Sequence, residues 1–321
     1  MEYQEINRYD LLVRVAEMYY MEQKTQQEIA DSIMVSRSNI SKMLKKCIQL
    51  GIVEFKINNL SSSGIGLQSK LKKKFKLKEV IIVPGTGSPE EVKSRIGAAA
   101  AEYLEGILAN GMLVGLAWGS TLYQVVKQFH TSHVYDVDVI QLVGGMGSRS
   151  IELDGQDIIK SLQKHFHGTS YVLQAPMIVR NPILKQLLLE ELEIKKHFDK
   201  FKQTDVALMG LGSNRSQISA LYRSGHIKKR DADNMIKQGA IGDTCGMQFD
   251  INGNLCNTVL TGRVIGIDMP TLLKIPTRIG VASGVERAEA TLGALRGNYV
   301  NVLVTDETTA KKVYDESCEK A

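Results

Sequence analysis

The sequence predicts an α/β protein in two parts, a short helical N-terminal module followed by a larger domain built on a mainly parallel sheet. Three observations carry this. The chain has 321 residues, past the length at which single cores usually stop growing. Residues 8–57 carry helix-period apolar patterns broken by two capping signals. From Glu79 on, short β-branched apolar runs alternate with helical stretches, the pattern of a sheet covered on both faces.

Leu11, Leu12, Val15, Ala16 and Tyr19 recur at helical spacing and predict a first helix over 8–22. Thr25 with Glu28 three residues on reads as a capping box that opens a second helix, whose inner face is Ile29, Ala30 and Ile33. Ser36 caps a third helix, which ends near Gly51. At about 100° per residue, Ile40, Met43, Leu44, Cys47 and Ile48 share one arc of it. Arg37, Ser38, Ser41, Lys42, Lys45 and Gln49 share the opposite arc, free of acids and of large apolar residues. Residues 52–57 alternate like a short strand, in the place of a wing.

Net charge is +5, and its placement says more than its size. Residues 1–35 hold seven acids against three bases, whereas 36–56 hold five bases against Glu54. An acidic scaffold beside a basic helix suits a reader of the DNA major groove, where Arg and Lys donate to guanine edges and phosphates. The same arc also fits a solvated amphipathic helix. The caps, the short helices and the tight turn together favour DNA, with Thr25, Gln26, Ser36, Arg37, Ser38, Asn39, Ser41, Lys42 and Lys45 as the candidate contacts.

Residues 58–66 are polar and glycine-bearing and read as a linker between a module over 1–57 and a domain over 67–321. The lysine-rich stretch after it offers a second phosphate-contacting patch, but Leu67, Leu71 and Phe75 stand four apart, which better predicts one helix with solvated lysines. Strands are expected at 80–83, 112–118, 137–143, 170–175, 205–212, 277–282 and 300–305. Helices are expected at 89–109, 120–130, 155–167, 181–191 and 284–296.

Ligands of such sheets bind beyond the carboxyl ends of strands. Three glycine-rich strand ends stand out: Gly119-Ser120-Thr121, Gly144-Gly145, and Gly210 with Gly212. A helix N-terminus there favours an anion, and hydroxyls add donors. Glycine can also serve turn geometry alone. No P-loop or GxGxxG pattern occurs, so a nucleotide or dinucleotide is not indicated. Asp243, in a glycine-rich turn, is a candidate acceptor for sugar hydroxyls. Arg287, in a first helical turn, is a candidate anion partner, unless Glu286 or Glu289 pairs with it.

The four cysteines are scattered, and neither close His pair has an acidic or cysteine partner at ligand spacing, so no metal, cofactor or disulfide framework is expected. The N-terminus lacks the order of a signal peptide and no stretch is apolar enough to span a bilayer; a cytoplasmic protein with no membrane partner is expected.

At this point the chain resembles a known family. "KTQQEIADSIMVSRSNISKML" (24–44) is similar to the winged helix-turn-helix of SorC-type sugar-binding regulators. "GDTCGMQFDING" (242–253) and "SGVERAEATLGALRGNYVNVLVTDETTA" (283–310) resemble segments of their effector domain. Three positions depart: Met34 stands where the family's turn has Gly, Ser283 for a Gly, and Arg287 for a Lys. Arg keeps the charge but cannot form a Schiff base. The resemblance implies a Rossmann-like effector domain akin to sugar-phosphate isomerases and deaminases. It also implies a transcriptional regulator, most simply a repressor, that binds operator DNA under control of a phosphorylated sugar. A homodimer or homotetramer is expected, because one short helix reads only a half-site. No catalytic residue is expected; the alternative is a sugar-phosphate isomerase or deaminase with an appended helical module.

Overall fold

The computed structural model describes residues 2–53, 62–147 and 155–318. The chain divides into two compact units, 1–59 and 60–321.

In the smaller unit, α1 (Glu2–Ala16) runs into one π-helical stretch, Glu17–Met21, so the first helix starts earlier than its apolar period suggested. Then come α2 (Gln26–Ser32) and α3 (Arg37–Gln49). Val15, Met18, Ile29, Ala30, Ile40 and Leu44 interlock as its core. Cys47 is buried beside Leu12, and its thiol donates to the Leu12 carbonyl at 3.2 Å. Ile48, expected on the inner arc, is exposed. Of the strand expected at 52–57, Ile52 and Val53 pack beside Leu12 and Cys47; residues 54–57 lie outside the described residues.

The larger unit opens with α4 (Ser62–Phe75), so residues 62–66 of the stretch read as linker are helical, while 58–61 lie outside the described residues. Leu71 is fully buried on its apolar stripe, as that spacing requires. There follow β1 (Glu79–Val83), α5 (Pro89–Ile107), β2 (Leu113–Leu116), α6 (Ser120–Gln128) and β3 (Asp138–Gln141). Next are α7 (Gly155–Gln163), β4 (Ser170–Tyr171), α8 (Pro182–Glu190), α9 (Leu192–Lys200), β5 (Val206–Gly210) and β6 (Gly212–Ser213). Two helices, α10 (Ala220–Arg223) and α11 (Lys229–Lys237), lead to the hairpin of β7 (Gly242–Thr244) and β8 (Met247–Phe249). The chain closes with α12 (Met269–Leu272), β9 (Thr277–Ala282), α13 (Ala288–Arg296), β10 (Val302–Asp306) and α14 (Glu307–Cys318).

Seven strands form one parallel sheet in the order β1-β10-β9-β5-β2-β3-β4. Its central strands are buried along their length, which is why they read as continuous apolar runs rather than alternating ones. After β2 the chain winds toward β3 and β4; after β5 it winds the other way, toward β9 and β10. The winding therefore reverses between β2 and β5, and a crevice opens outside their carboxyl ends. The short antiparallel sheet β6-β7-β8 stands beside that crevice and was not anticipated from the sequence.

Candidate functional site

In the smaller unit the capping box is present: Thr25 Oγ1 accepts from Glu28 N at 3.2 Å, and Glu28 Oε2 accepts from Thr25 N at 2.8 Å. Bonds donated by Thr25 N and Thr25 Oγ1 to Glu28 Oε2 hold the Glu28 carboxyl below its ordinary pKa. Ser36 Oγ accepts from Asn39 N at 3.3 Å and lies 3.1 Å from Ser38 Oγ. Between the caps, Met34 adopts φ +54 with its side chain 93 % exposed, so the turn keeps the conformation that favours glycine without one. Arg37, Ser38, Asn39, Lys42 and Lys45 are exposed on α3, and Ser41 is half-buried beside them. Thr25 and Gln26 lie at the start of α2, Thr25 exposed and Gln26 half-buried. Arg37, Lys42 and Lys45 make no ion pair among the described residues, which leaves their charge free for phosphate or base edges.

In the larger unit a cavity of about 580 Å³, its open mouth included, sits at the reversal between β2 and β5. It gathers Gly119, Ser120, Thr121, Gly210, Gly212, Asp243 and Arg287 from four separate stretches of sequence. Gly119 takes φ +125 and ψ 159, a conformation open only to glycine, and turns the chain from β2 into α6. No side chain caps α6 among the described residues, so its first-turn N–H groups and the half-buried Ser120 and Thr121 face the cavity together.

Asp243 is presented by β7 opposite Gly212 of β6. Burial pushes its carboxyl up to about 6, against the opposing pull of the Gly246 backbone N–H and of the Arg287 charge. Cys245 lines the same cavity, and burial, reinforced by Asp243, pushes its thiol up to about 12, which makes it an inert wall. Arg287 is half-buried in a 3-10 turn, where Nη1 donates to the Ser283 carbonyl at 2.5 Å. Burial lowers its pKa, Glu286 raises it, and nearby Arg223 lowers it again. Glu289, a possible partner by sequence, instead pairs with Arg215 at 2.6 Å. Arg287 forms no ion pair within 4.0 Å among the described residues. Glu286, Asp243 and Asp306 act on it only from a distance, and a cation that gives up solvent without a direct ion pair is set up to receive an anion.

Gly144 and Gly145 do not line this cavity. A Cβ on Gly144 would collide with Ala175 and Pro176 backbone, and Gly145 exchanges backbone bonds with Ala175 and Met177 at 2.8 and 2.9 Å. These glycines permit two backbone segments to approach. Sequence reasoning left Cys245 unassigned, and with it two residues of other kinds. Trp118 lines the cavity, and Asp306 positions the loop before Arg287 by accepting from Gly284 N at 2.9 Å. Burial raises the Asp306 pKa, but bonds from Gly284, Thr308 and Thr309 more than offset this and hold it low. An acid at a strand end with threonines two and three residues on is the signal that could have marked it.

Residues 62–314 match the family described as "Putative sugar-binding domain". The full-length sorbitol operon regulator SorC of Klebsiella pneumoniae superposes with a TM-score of 0.87 at 28% identity, covering 95% of this chain and 98% of that one. The deoxyribonucleoside regulator of Bacillus subtilis is 27% identical over 95% of this chain and 97% of its own. The uncharacterized transcriptional regulator YjhU of Escherichia coli is 30% identical over 94% of this chain and 93% of its own. The chain belongs to the SorC-type family of sugar-binding transcriptional regulators.

Proposed function

We propose that this regulator binds operator DNA through the exposed arc of α3 and is controlled by a phosphorylated sugar held in the cavity between β2 and β5. The sugar's phosphate meets the open N-terminus of α6, Ser120, Thr121 and Arg287, and Asp243 accepts from its hydroxyls. Binding of the effector relieves repression, and the working form is a homodimer or homotetramer whose paired α3 helices read two half-sites. One observation supports the reading most: Arg287 lines the cavity half-buried and forms no ion pair within 4.0 Å among the described residues. Binding without turnover is supported by Asp243 being the one carboxylate among the described lining residues, since isomerisation or deamination needs a positioned acid–base pair.

The test is a thermal-shift screen of the full chain against sugar phosphates and the matching free sugars. A phosphorylated sugar should raise the melting temperature, and Arg287→Met should abolish the shift. Stabilisation by free sugars alone would overturn the phosphate assignment.

A further inference from the structure

The larger unit carries an apolar face that its own core does not use. Helix α8 opens with Asn181 as N-cap and Pro182 in its first turn. Leu188 and Leu189 pack half-buried against the core. Ile183, Leu184 and Leu187 form a stripe on the outer side, with Ile183 66% and Leu187 56% exposed. Leu192, at the start of α9, is likewise 64% exposed. Lys185 turns inward instead and lines a second cavity with Asp268. A contiguous aliphatic patch of this kind marks an interaction surface.

The charges at its two ends indicate what covers it. Arg180 is exposed immediately before the helix. Arg263 docks beside it, donating to the carbonyls of Val179 at 2.8 Å and Val259 at 2.9 Å. At the other end Glu190 and Glu191 are exposed. The nine residues of α8 separate these ends by roughly 13 Å, at about 1.5 Å per residue. A two-fold contact needs a patch complementary to itself. Laid antiparallel on its own copy, α8 sets arginines against glutamates at both ends and aliphatic side chains against each other between them. Laid parallel, it opposes like charges.

We propose that α8 of one copy packs antiparallel on α8 of a second copy, burying Ile183, Leu184 and Leu187 in a two-fold contact. This rests on the homo-oligomer reading above and names its surface. Sedimentation velocity on the full chain over a concentration series tests it. Ile183→Glu with Leu187→Glu should weaken self-association at least tenfold while the far-UV circular dichroism at room temperature stays unchanged. Arg180→Glu alone should weaken it less, and Arg180→Glu with Glu190→Arg should restore it. If the folded Ile183→Glu, Leu187→Glu variant assembles as tightly as the parent, the contact is overturned while the oligomer reading stands. If the parent sediments as a monomer throughout, both fall. Should the glutamate variant not fold, the exposed charge pair decides: no weakening by the single change, or no rescue by the double, overturns the proposal.

Discussion

Gly212 and Asp243 face each other across the β6–β7 ladder, so closely that a Cβ on residue 212 would collide with the Asp243 carboxylate. The glycine is thus a spacing device for the acid. Gly212→Ala should displace Asp243, cost about 1–3 kcal/mol as other overpacked sites do, and weaken the thermal shift given by sugar phosphate. Gly210→Ala is the control for stability, because its Cβ would meet only the Trp118 carbonyl at an ordinary 3.8 Å. Equal losses from both changes would refute the spacing role.

Asp243 also sets a pH dependence. Its folded pKa of about 6 lies above the ordinary 3.8, so the native state holds this proton more tightly than the unfolded chain. The stabilisation is fully present below about pH 4 and is lost as pH rises through about 6. That loss is on the order of 3 kcal/mol, at about 1.4 per pKa unit. Asp243→Asn should therefore gain on the parent between pH 4 and pH 8 in urea midpoints. A difference between the two proteins that does not change with pH would contradict the assignment.

On α3, the arginine and the lysines should separate by type of contact. Lys42→Ala should weaken operator binding across all sequences and flatten the log–log salt dependence by about one unit. Arg37→Ala should cost about 1–3 kcal/mol and relax base preference at one position. Fluorescence anisotropy over a salt series measures both. Unchanged affinity in the double variant would assign this unit to protein contacts instead.

Met34 holds φ +54 with its side chain in solvent, so replacing it removes no packing. Met34→Gly should stabilise the smaller unit by up to about 1 kcal/mol, the left-handed penalty less glycine's greater unfolded-state freedom. Met34→Val, branched at Cβ, should destabilise it. Local amide hydrogen exchange around α2 and α3 reads both, and the opposite order would mean that the turn carries no strain.

Each of the seven strands of the main sheet fell within or beside an expected run, and the central ones were plainest because strands buried on both faces cannot hide their apolar runs; β4 is the short one, only Ser170–Tyr171 of an expected 170–175 and half-buried. The small sheet was not: β6 and β7 are two and three residues long, and Gly242 and Gly212 owe their identity to close approach rather than to period. Glycine-rich strand ends were equally visible at 119, 144–145 and 210–212, yet only the first and last line the cavity. The middle pair admits the backbone of Ala175–Met177. A glycine announces that something comes close, but its sequence context does not distinguish ligand from main chain. The lack of an ion pair for Arg287 was beyond sequence as well, since it depended on Glu289 turning to Arg215.

The β7–β8 hairpin has a consequence for regulation. Its first strand and turn give Asp243 and Cys245 to the cavity at the sheet's winding reversal, while Gly246, Met247 and Gln248 wall the second cavity, beside Lys185 of α8. Two compartments thus share one thin partition. A ligand that displaces the partition from one side changes the space on the other, and such coupling is reciprocal. Whatever factor an effector imposes on pairing through α8, pairing must impose on the effector, so the concentration of effector needed for half-saturation would vary with the concentration of the protein itself.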